Sequence, residues 1–306
     1  MAVGTAIDPR DELTIGLPTY GPTGPAQWLK VDWSQHLRRA MVGGRGVNYL
    51  DYGDATKPTV MLVHGLGGRW QNWLANVIGL SEHFHVVALD LPGFGESEMP
   101  AEAISIPGYA DCIAGLLDHL EVASAFVIGN SMGGMTSIQL ALDHPSRVDR
   151  LVLVSPAGWS TNSVPPIVGQ FAGIAGAVFG RVNANRDLIV RRPKLRAPAL
   201  RGIVAHPDRL SSEIVYELLG GSSSPGFAPA LRAILAHDFR DRLGEIKQPV
   251  LFVWGRRDGV ITSGDVLHFG EQMPHAERIL LRDTGHLAMV EHPEWFDRTA
   301  SQFLTA

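Results

Sequence analysis

Three residues that lie far apart in the sequence, Ser131, Asp258 and His286, are of the types that together activate a nucleophile. A neutral serine hydroxyl attacks a carbonyl group poorly, so it needs a base that takes its proton and donors that stabilise the oxyanion. A histidine can be that base, and a carboxylate fixes the tautomer of its imidazole. Each of the three residues follows a predicted strand, and open α/β sheets bind ligands at the carboxyl ends of their strands. The pattern predicts nucleophilic catalysis by Ser131, with His286 as the base and Asp258 as its partner.

Ser131 stands in the middle of the stretch Gly129-Asn-Ser-Met-Gly133, between a predicted strand that ends at Ile128 and a predicted helix that begins at Met132. Gly-X-Ser-X-Gly is short enough to arise by chance, and a serine that caps a helix gives the same local pattern. A tight strand-to-helix turn would lift the hydroxyl above the sheet edge and place it at the helix N-terminus. We therefore predict the backbone N–H of Met132 as one oxyanion donor.

The second oxyanion donor is predicted in the loop His64-Gly-Leu-Gly-Gly68, which follows another predicted strand. Glycines let a backbone approach a substrate closely, and the backbone N–H of Leu66 is the candidate. We expect His64 to brace this loop rather than to act as an acid or a base.

Other residues could in principle replace the base and its partner, because the chain has 12 histidines. Asp283 lies too near the turn of His286, and Asp265 falls in the first turn of a predicted helix, where capping explains it. Three further histidines lie on or beside predicted helices and are interpreted as structural: His268, His275 and His292.

The elements that must position these residues alternate short β-rich runs with longer helical runs from about residue 36. That alternation predicts an α/β fold with an eight-stranded, mostly parallel sheet and helices on both faces. The predicted strands are Arg38–Val42, Val47–Tyr52, Thr59–Val63, His85–Leu89, Ala125–Ile128, Arg150–Val154, Val250–Trp254 and Arg278–Leu281. The predicted helices are Gln71–Ser81, Pro107–Leu120, Met132–Asp143, Ser263–Gln272 and Pro293–Leu304. Gly43–Gly46 should join the first two strands as an antiparallel hairpin.

A long segment after the sixth predicted strand breaks the alternation, and connections of that length are usually functional. We predict a helical cap or lid at 159–236, inserted into a core made of 1–158 and 237–306, with 1–35 as an N-terminal arm without assigned chemistry. The apolar, Pro- and Gly-rich passage Val164–Phe179 should cover the pocket and bind substrate.

Five motifs resemble the serine-nucleophile branch of the α/β-hydrolase superfamily, whose chain order is Ser, Asp, His. They are His64-Gly-Leu-Gly-Gly68, Asp90-Leu-Pro-Gly-Phe-Gly-Glu-Ser97, Gly129-Asn-Ser-Met-Gly-Gly134, Gly255-Arg-Arg-Asp258 and Gly285-His286. The resemblance covers nearly everything from about residue 45 to the end except the cap, and it implies the α/β-hydrolase fold. Haloalkane dehalogenases and epoxide hydrolases of this superfamily have an aspartate where this chain has Ser131, which disfavours both.

Two stretches, Asn130–Gly134 and Leu151–Gly158, resemble the hydrolases that cleave carbon–carbon bonds in meta-cleavage products. Those enzymes usually carry a tryptophan after the catalytic histidine, and this chain has Leu287 there. The cap arginine that binds their substrate carboxylate cannot be assigned among Arg181, Arg186, Arg191, Arg192 and Arg196.

The bulk composition of the 306 residues excludes some partners. A formal net charge of -5 offers no cationic field for a phosphate backbone, so nucleic acid is not expected. Cys112 is the single cysteine and is interpreted as a small buried hydrophobe. The first residues show no apolar signal segment and no run is suited to span a membrane, which predicts a cytoplasmic location. Metal and nucleotide motifs are missing from the sequence, so no cofactor is expected.

These observations predict a cofactor-free serine hydrolase, esterase- or lipase-like, that cleaves carboxylic esters of hydrophobic, small-to-medium substrates through an acyl-enzyme on Ser131. A carbon–carbon hydrolase and a ligand-binding receptor on the same fold stay open as alternatives. A homo-oligomer also stays open, because the Gly- and Ala-rich run Phe171–Val178 could pack on a partner subunit or move over the pocket.

Overall fold

A computed structural model of the chain describes residues 8–23, 26–164, 172–221 and 223–306. Nine strands in these ranges form one sheet. The strands are β1 Thr14–Ile15, β2 Leu37–Val42, β3 Arg45–Tyr52, β4 Thr59–Val63, β5 His85–Leu89, β6 Ala125–Asn130, β7 Val148–Val154, β8 Val250–Gly255 and β9 Glu277–Leu281.

The sheet has the strand order β1-β9-β8-β7-β6-β4-β5-β3-β2. β2 pairs with β3, and β3 with β5, in antiparallel fashion, and the other neighbours are parallel. The predicted hairpin is confirmed, with Val42 opposite Arg45. Gly43 and Gly44 form its turn with φ of 56° and 74°, the left-handed backbone that a tight hairpin turn needs.

The prediction of eight strands was wrong by one, because the N-terminal arm adds a strand to the sheet edge. Thr14 and Ile15 lie parallel to Leu280 and Leu281 of β9. Backbone N–H groups of Leu280 and Arg282 donate to the arm at 2.8 and 2.9 Å. A two-residue strand is too short to show a period of two in the sequence.

Eleven α-helices occur in the described ranges. They are α1 Leu74–Ser81, α2 Ile106–His119, α3 Met132–Asp143, α4 Ala172–Ala184, α5 Arg186–Arg191, α6 Pro193–Ala199, α7 Ser212–Gly220, α8 Phe227–Ala236, α9 Asp265–Gln272, α10 Ala288–Glu291 and α11 Pro293–Thr305. Helices α4 to α8 all lie between β7 and β8, in the segment predicted as a cap. The four-residue α10 was not predicted. Within the part of the chain that the structure describes, no helix is both long and apolar enough to cross a membrane.

The sheet buries apolar side chains on both faces, and alternate residues of one strand point to opposite cores. In β4, Met61 and Val63 join one core and Val60 and Leu62 join the other. Helices α2 and α3 cover the first core, and α1 and α11 cover the second. Strands buried on both faces read as continuous apolar runs, which is why β4 to β8 were identified in the sequence.

Asp90, directly after β5, connects the loops at the carboxyl edge of the sheet. Its buried carboxylate accepts hydrogen bonds from the Trp70 backbone at 2.8 Å, the Asn48 side chain at 2.9 Å and the Glu96 backbone at 3.0 Å. Its backbone carbonyl accepts the Ser97 hydroxyl at 2.6 Å. The Asp90–Ser97 motif therefore shapes the turn after β5, and the carboxylate of Asp90 holds three segments together.

Replacing Asp90 with Asn should lower the free energy of unfolding by about 1–3 kcal/mol, because an amide nitrogen cannot accept the hydrogen bonds that a carboxylate oxygen accepts. Urea denaturation measures the change. The matched substitution Asp149→Asn, at an exposed residue, should leave the unfolding free energy unchanged. Equal stability of the two variants would contradict this role of Asp90.

Candidate active site

Ser131 lies at a sharp turn between β6 and α3 and has a left-handed backbone, with φ 56° and ψ -116°. A non-glycine residue with positive φ is uncommon and is held by its surroundings. Here the Ser131 N–H donates to the Val154 carbonyl at 3.0 Å, and the Ser131 carbonyl accepts from the N–H of Met135 at 3.0 Å and of Ala157 at 3.1 Å.

The glycines on either side of Ser131 allow this turn. A Cβ atom on Gly129 would lie 2.5 Å from the carbonyl oxygen of Gly133. A Cβ on Gly133 would overlap the backbone carbonyl of Val63 in β4. The Gly-X-Ser-X-Gly pattern is therefore a packing requirement, and it places the serine at the carboxyl edge of the sheet.

Asp258 and His286, which are 28 residues apart, are brought together at the same edge. The Nδ1 atom of His286 lies 2.8 Å from Oδ2 of Asp258. The other carboxylate oxygen accepts the backbone N–H of Val260 at 2.8 Å and of Ile261 at 2.9 Å. The side chain of Asp258 is fully buried and that of His286 is 6% exposed. Since Nδ1 donates to the carboxylate, Nε2 is the ring nitrogen left to accept a proton.

Asn130 links the turn of Ser131 to the loop of His286. Its amide nitrogen donates to the Val154 carbonyl at 3.1 Å and to the His286 carbonyl at 3.2 Å. In the sequence, Asn130 marks only a resemblance to one branch of the superfamily. Its contacts indicate that it also holds two site-bearing loops together.

Ser131 and His286 line one cavity of about 350 Å³. Leu66, Asn130 and Leu287 also line it. Met132 follows Ser131 as the first residue of α3, where backbone N–H groups have no partner inside the helix. The backbone N–H groups of Leu66 and Met132 therefore remain the candidate oxyanion donors.

The remaining walls of the cavity are mostly apolar and come largely from the inserted segment. Of the predicted substrate-binding passage Val164–Phe179, Ala175 lines the cavity, while 165–171 lie outside the described residues. The other lining residues of the insertion are Thr161, Ala199, Leu200, Ile203, Leu218, Leu219, Phe227, Leu231 and Ile234. The lining residues beyond Phe179 were not predicted from the sequence, because only the folded insertion brings them to the site.

None of the described residues that line the cavity is Arg, Lys, Asp or Glu. The guanidinium of Arg196, one of five arginines considered for a substrate carboxylate, donates to the carbonyls of Val190 and Leu210 and to the hydroxyl of Ser212. Arg186 lies over the ring of Tyr216, 4.2 Å from its centroid. The other three, Arg181, Arg191 and Arg192, are exposed and do not line the cavity.

The rival residues have structural partners. Asp283 pairs with Arg257 at 2.8 Å, and Asp265 accepts the Ser160 backbone N–H at 2.9 Å. Burial raises the pKa of Asp265. The rival histidines pair elsewhere: His292 with the Thr284 hydroxyl, His275 with the Gln248 carbonyl, and His268 stacked on Trp159.

His64 and Cys112 are both buried. His64 receives the Leu91 N–H on Nε2 at 3.0 Å and donates from Nδ1 to the Gly65 carbonyl at 2.8 Å. Burial lowers the pKa of His64, so it is a neutral brace between two loops. Cys112 is a free thiol, and burial raises its pKa to about 12, which makes it unreactive at neutral pH.

Glu291, which the sequence analysis missed, is fully buried beside the loop of His286. Its carboxylate accepts the backbone N–H groups of Gly285 and Leu287, on either side of the histidine. Burial raises the pKa of Glu291 to about 7, although these hydrogen bonds lower it. A single glutamate that follows the apolar run Leu287–Val290 was the available sequence signal.

Known proteins resemble this chain in sequence and in structure. Residues 58–187 match a family model described as the alpha/beta hydrolase fold. A dihydrolipoyllysine-residue acetyltransferase component of the acetoin cleaving system from Pseudomonas putida is 31% identical over 87% of this chain and 69% of that protein. A 2-hydroxy-6-oxononadienedioate/2-hydroxy-6-oxononatrienedioate hydrolase from Burkholderia vietnamiensis is 30% identical over 84% of this chain and 90% of that protein.

A solved structure, that of Est816, described as an N-acyl homoserine lactone degrading enzyme, superposes with a TM-score of 0.69 at 27% identity. The match covers 87% of this chain and 100% of that chain. These similarities confirm the fold class that the five motifs implied. The chain belongs to the alpha/beta hydrolase family.

Proposed function

We propose that this hydrolase is a cofactor-free serine esterase that cleaves uncharged, hydrophobic carboxylic esters through an acyl-enzyme on Ser131. The observation that carries the proposal is the cavity itself, in which Ser131 and the Asp258-bound His286 meet walls that are mostly apolar. An activated serine needs a base within reach, and that base needs a third group that orients it. In this proposal the segment 159–236 acts as the cap that closes the cavity.

In the first half of the reaction, Ser131 Oγ attacks the carbonyl carbon of the ester while His286 Nε2 takes the hydroxyl proton. Asp258 stabilises the imidazolium through its hydrogen bond to Nδ1. The backbone N–H groups of Leu66 and Met132 stabilise the oxyanion of the tetrahedral intermediate. When the intermediate collapses, the bond to the alcohol oxygen breaks, and His286 gives its proton to the departing alcohol.

In the second half, His286 takes a proton from water, and the resulting hydroxide equivalent attacks the acyl carbon on Ser131. The same donors stabilise the second tetrahedral intermediate. Its collapse breaks the bond to Ser131 Oγ, which regains the proton from His286, and releases the carboxylic acid. The reaction therefore consumes one ester and one water and returns the enzyme unchanged.

The choice of a neutral substrate rests on electrostatics. An ionised carboxylate inside a mostly apolar cavity without a cation loses much of its hydration and gains no opposite charge in return. The described walls of this cavity contain no arginine or lysine. A lactone is a cyclic ester and fits the same site, and Est816, a similar structure, is described as degrading N-acyl homoserine lactones.

A carbon–carbon hydrolase is the second candidate, and the relative from Burkholderia vietnamiensis favours it, because its name describes a hydrolase of dienedioates and trienedioates. Such substrates carry two carboxylates. Leu287 and the apolar walls favour the ester over this alternative. A receptor that uses the cavity only to bind a ligand would have no need for the hydrogen bond between Asp258 and His286.

Replacing Ser131 with Ala should lower kcat for p-nitrophenyl butyrate by about 10³-fold or more, because the attacking oxygen is lost. The control variant is Ser146→Ala, which removes an exposed serine from a short 3-10 helix. It should keep the wild-type kcat. Undiminished turnover in Ser131→Ala would contradict the assignment of Ser131 as the nucleophile. A wild-type protein that hydrolyses the ester no faster than buffer alone would favour the receptor.

The charge of the acyl group should decide the specificity. We expect kcat/KM for p-nitrophenyl butyrate to exceed that for mono-p-nitrophenyl succinate by about 100-fold, because burial of an unpaired carboxylate costs several kcal/mol. The two esters have acyl chains of equal length, and release of nitrophenolate measures both. Equal kcat/KM for the two esters, or faster turnover of a coloured dienol ketone carboxylate than of either ester, would favour the carbon–carbon hydrolase instead.

A further inference from the structure

The loop that carries His286 is held by the carboxylate of Glu291 as well as by Asp258. Both oxygens of that carboxylate accept the backbone N–H of Gly285, each at 3.0 Å, and Oε1 accepts the N–H of Leu287 at 3.3 Å. Oε2 also accepts the N–H of Ala205 at 2.9 Å. The residues before and after the histidine are therefore fixed by one buried side chain.

The segment of the insertion at 202–206 contacts the loop that carries Asp258 and the loop that carries His286. The carbonyl of Ile203 accepts the His286 N–H at 2.7 Å, and the carbonyl of Gly202 accepts the Gly259 N–H at 2.9 Å, next to Asp258. A Cβ atom on Gly285 would lie 2.7 Å from the Ile203 carbonyl oxygen. This close packing leaves the two loops little room to shift relative to each other.

The N-terminal arm completes the contacts through Tyr20. Its hydroxyl donates to Oε2 of Glu291 at 2.7 Å and accepts the backbone N–H of His206 at 2.9 Å. The backbone N–H of Gly21 donates to the Glu291 carbonyl at 2.7 Å. The Tyr20 ring also lies below the guanidinium of Arg209, 5.1 Å from its centroid. Tyr20 thus joins the arm, the insertion and the loop of His286.

We propose that Tyr20 and Glu291 are positioning residues for His286, so that the N-terminal arm controls turnover although it does not line the cavity. The proposal rests on the proposed function, because it requires His286 to be the base. Neither Tyr20 nor Glu291 is among the residues that line the cavity. They act by fixing the backbone at Gly285 and Leu287, and thereby the direction of the imidazole.

The physical reason lies in the sensitivity of proton transfer to geometry. His286 must keep its hydrogen bond to Asp258 while its Nε2 reaches the Ser131 hydroxyl. Misplacement of a catalytic group by about 1 Å can lower the rate roughly 100-fold. A buried carboxylate accepts several N–H groups at once, and hydrogen bonds to charged groups are stronger than neutral ones. Above its pKa of about 7 the Glu291 carboxylate is ionised and can accept all of them.

The test uses Tyr20→Phe and Glu291→Gln in the full chain, with Tyr52→Phe as the matched control. Phe keeps the ring of Tyr20 and removes only the hydroxyl. Tyr52 is a half-buried tyrosine that packs on Trp33 and His36 and does not line the cavity. Thermal unfolding checks that each variant is folded, and kcat and KM for p-nitrophenyl butyrate are then measured at pH 8.5.

We expect Tyr20→Phe to lower kcat about fivefold, the rate equivalent of one hydrogen bond, with KM within about twofold of the wild type. Glu291→Gln should lower kcat by about tenfold or more, because its amide nitrogen cannot accept an N–H. Both residues act through one contact, so Tyr20→Phe in the Glu291→Gln background should have a smaller effect than in the wild type. Tyr52→Phe should keep the wild-type kcat.

Unchanged kcat in a folded Tyr20→Phe, or the same loss of kcat in Tyr52→Phe, would overturn the positioning role while ester hydrolysis still depended on Ser131. A rise in KM at constant kcat would also overturn it, because a misplaced base slows the chemical step. Hydrolysis that persists in Ser131→Ala would remove the proposed function, and the positioning role with it. The two failures are therefore distinguishable.

Discussion

Close backbone contact at two glycines is the constraint on which the site depends. Ser131 has a left-handed backbone, which costs on the order of 1–3 kcal/mol and persists only where the surroundings impose it. The surroundings are the approach of Gly129 to the Gly133 carbonyl and of Gly133 to the Val63 carbonyl, distances at which no Cβ fits. Strand β6, helix α3 and strand β4 can approach each other this closely only because both positions are glycines. The sharp turn that results directs Ser131 out of the sheet.

The positions of the three candidate site residues in the fold could be predicted from the sequence because each follows an apolar strand. Buried parallel strands give continuous apolar runs, and their carboxyl ends share one edge, so the runs before Ser131, Asp258 and His286 define a common location. Long-range contacts could not be predicted in this way. Glu291 and Tyr20 are 271 residues apart, and no local pattern marks their hydrogen bond.

The walls of the cavity were also beyond the sequence analysis, for a related reason. The residues from Ala199 to Ile234 that line it come from helices and loops whose apolar faces could equally pack on each other. Substrate contacts were predicted at the most apolar passage, Val164–Phe179, of which Ala175 lines the cavity within the described residues. Hydropathy identifies residues that will be buried, but it does not tell whether they pack on each other or line the cavity.

Under the proposed function, Ile203 would connect the fit of the substrate to the position of His286. Ile203 lines the cavity, and its carbonyl accepts the backbone N–H of His286 at 2.7 Å. A substrate that shifts this part of the insertion would therefore also act on the histidine loop. The N-terminal arm contacts the same segment through the hydrogen bond between Tyr20 and His206. The arm, the insertion and the loop of His286 would therefore together fix the position of the imidazole.

The identity of the nucleophile is the central claim, and covalent labelling tests it most directly. A fluorophosphonate probe reacts with an activated serine hydroxyl and forms a stable adduct, and peptide mapping by mass spectrometry locates that adduct. We expect one adduct per chain, on the peptide that contains Ser131, and a large loss of labelling in His286→Ala. An unlabelled Ser131, or an adduct on a different residue at equal rate, would contradict it.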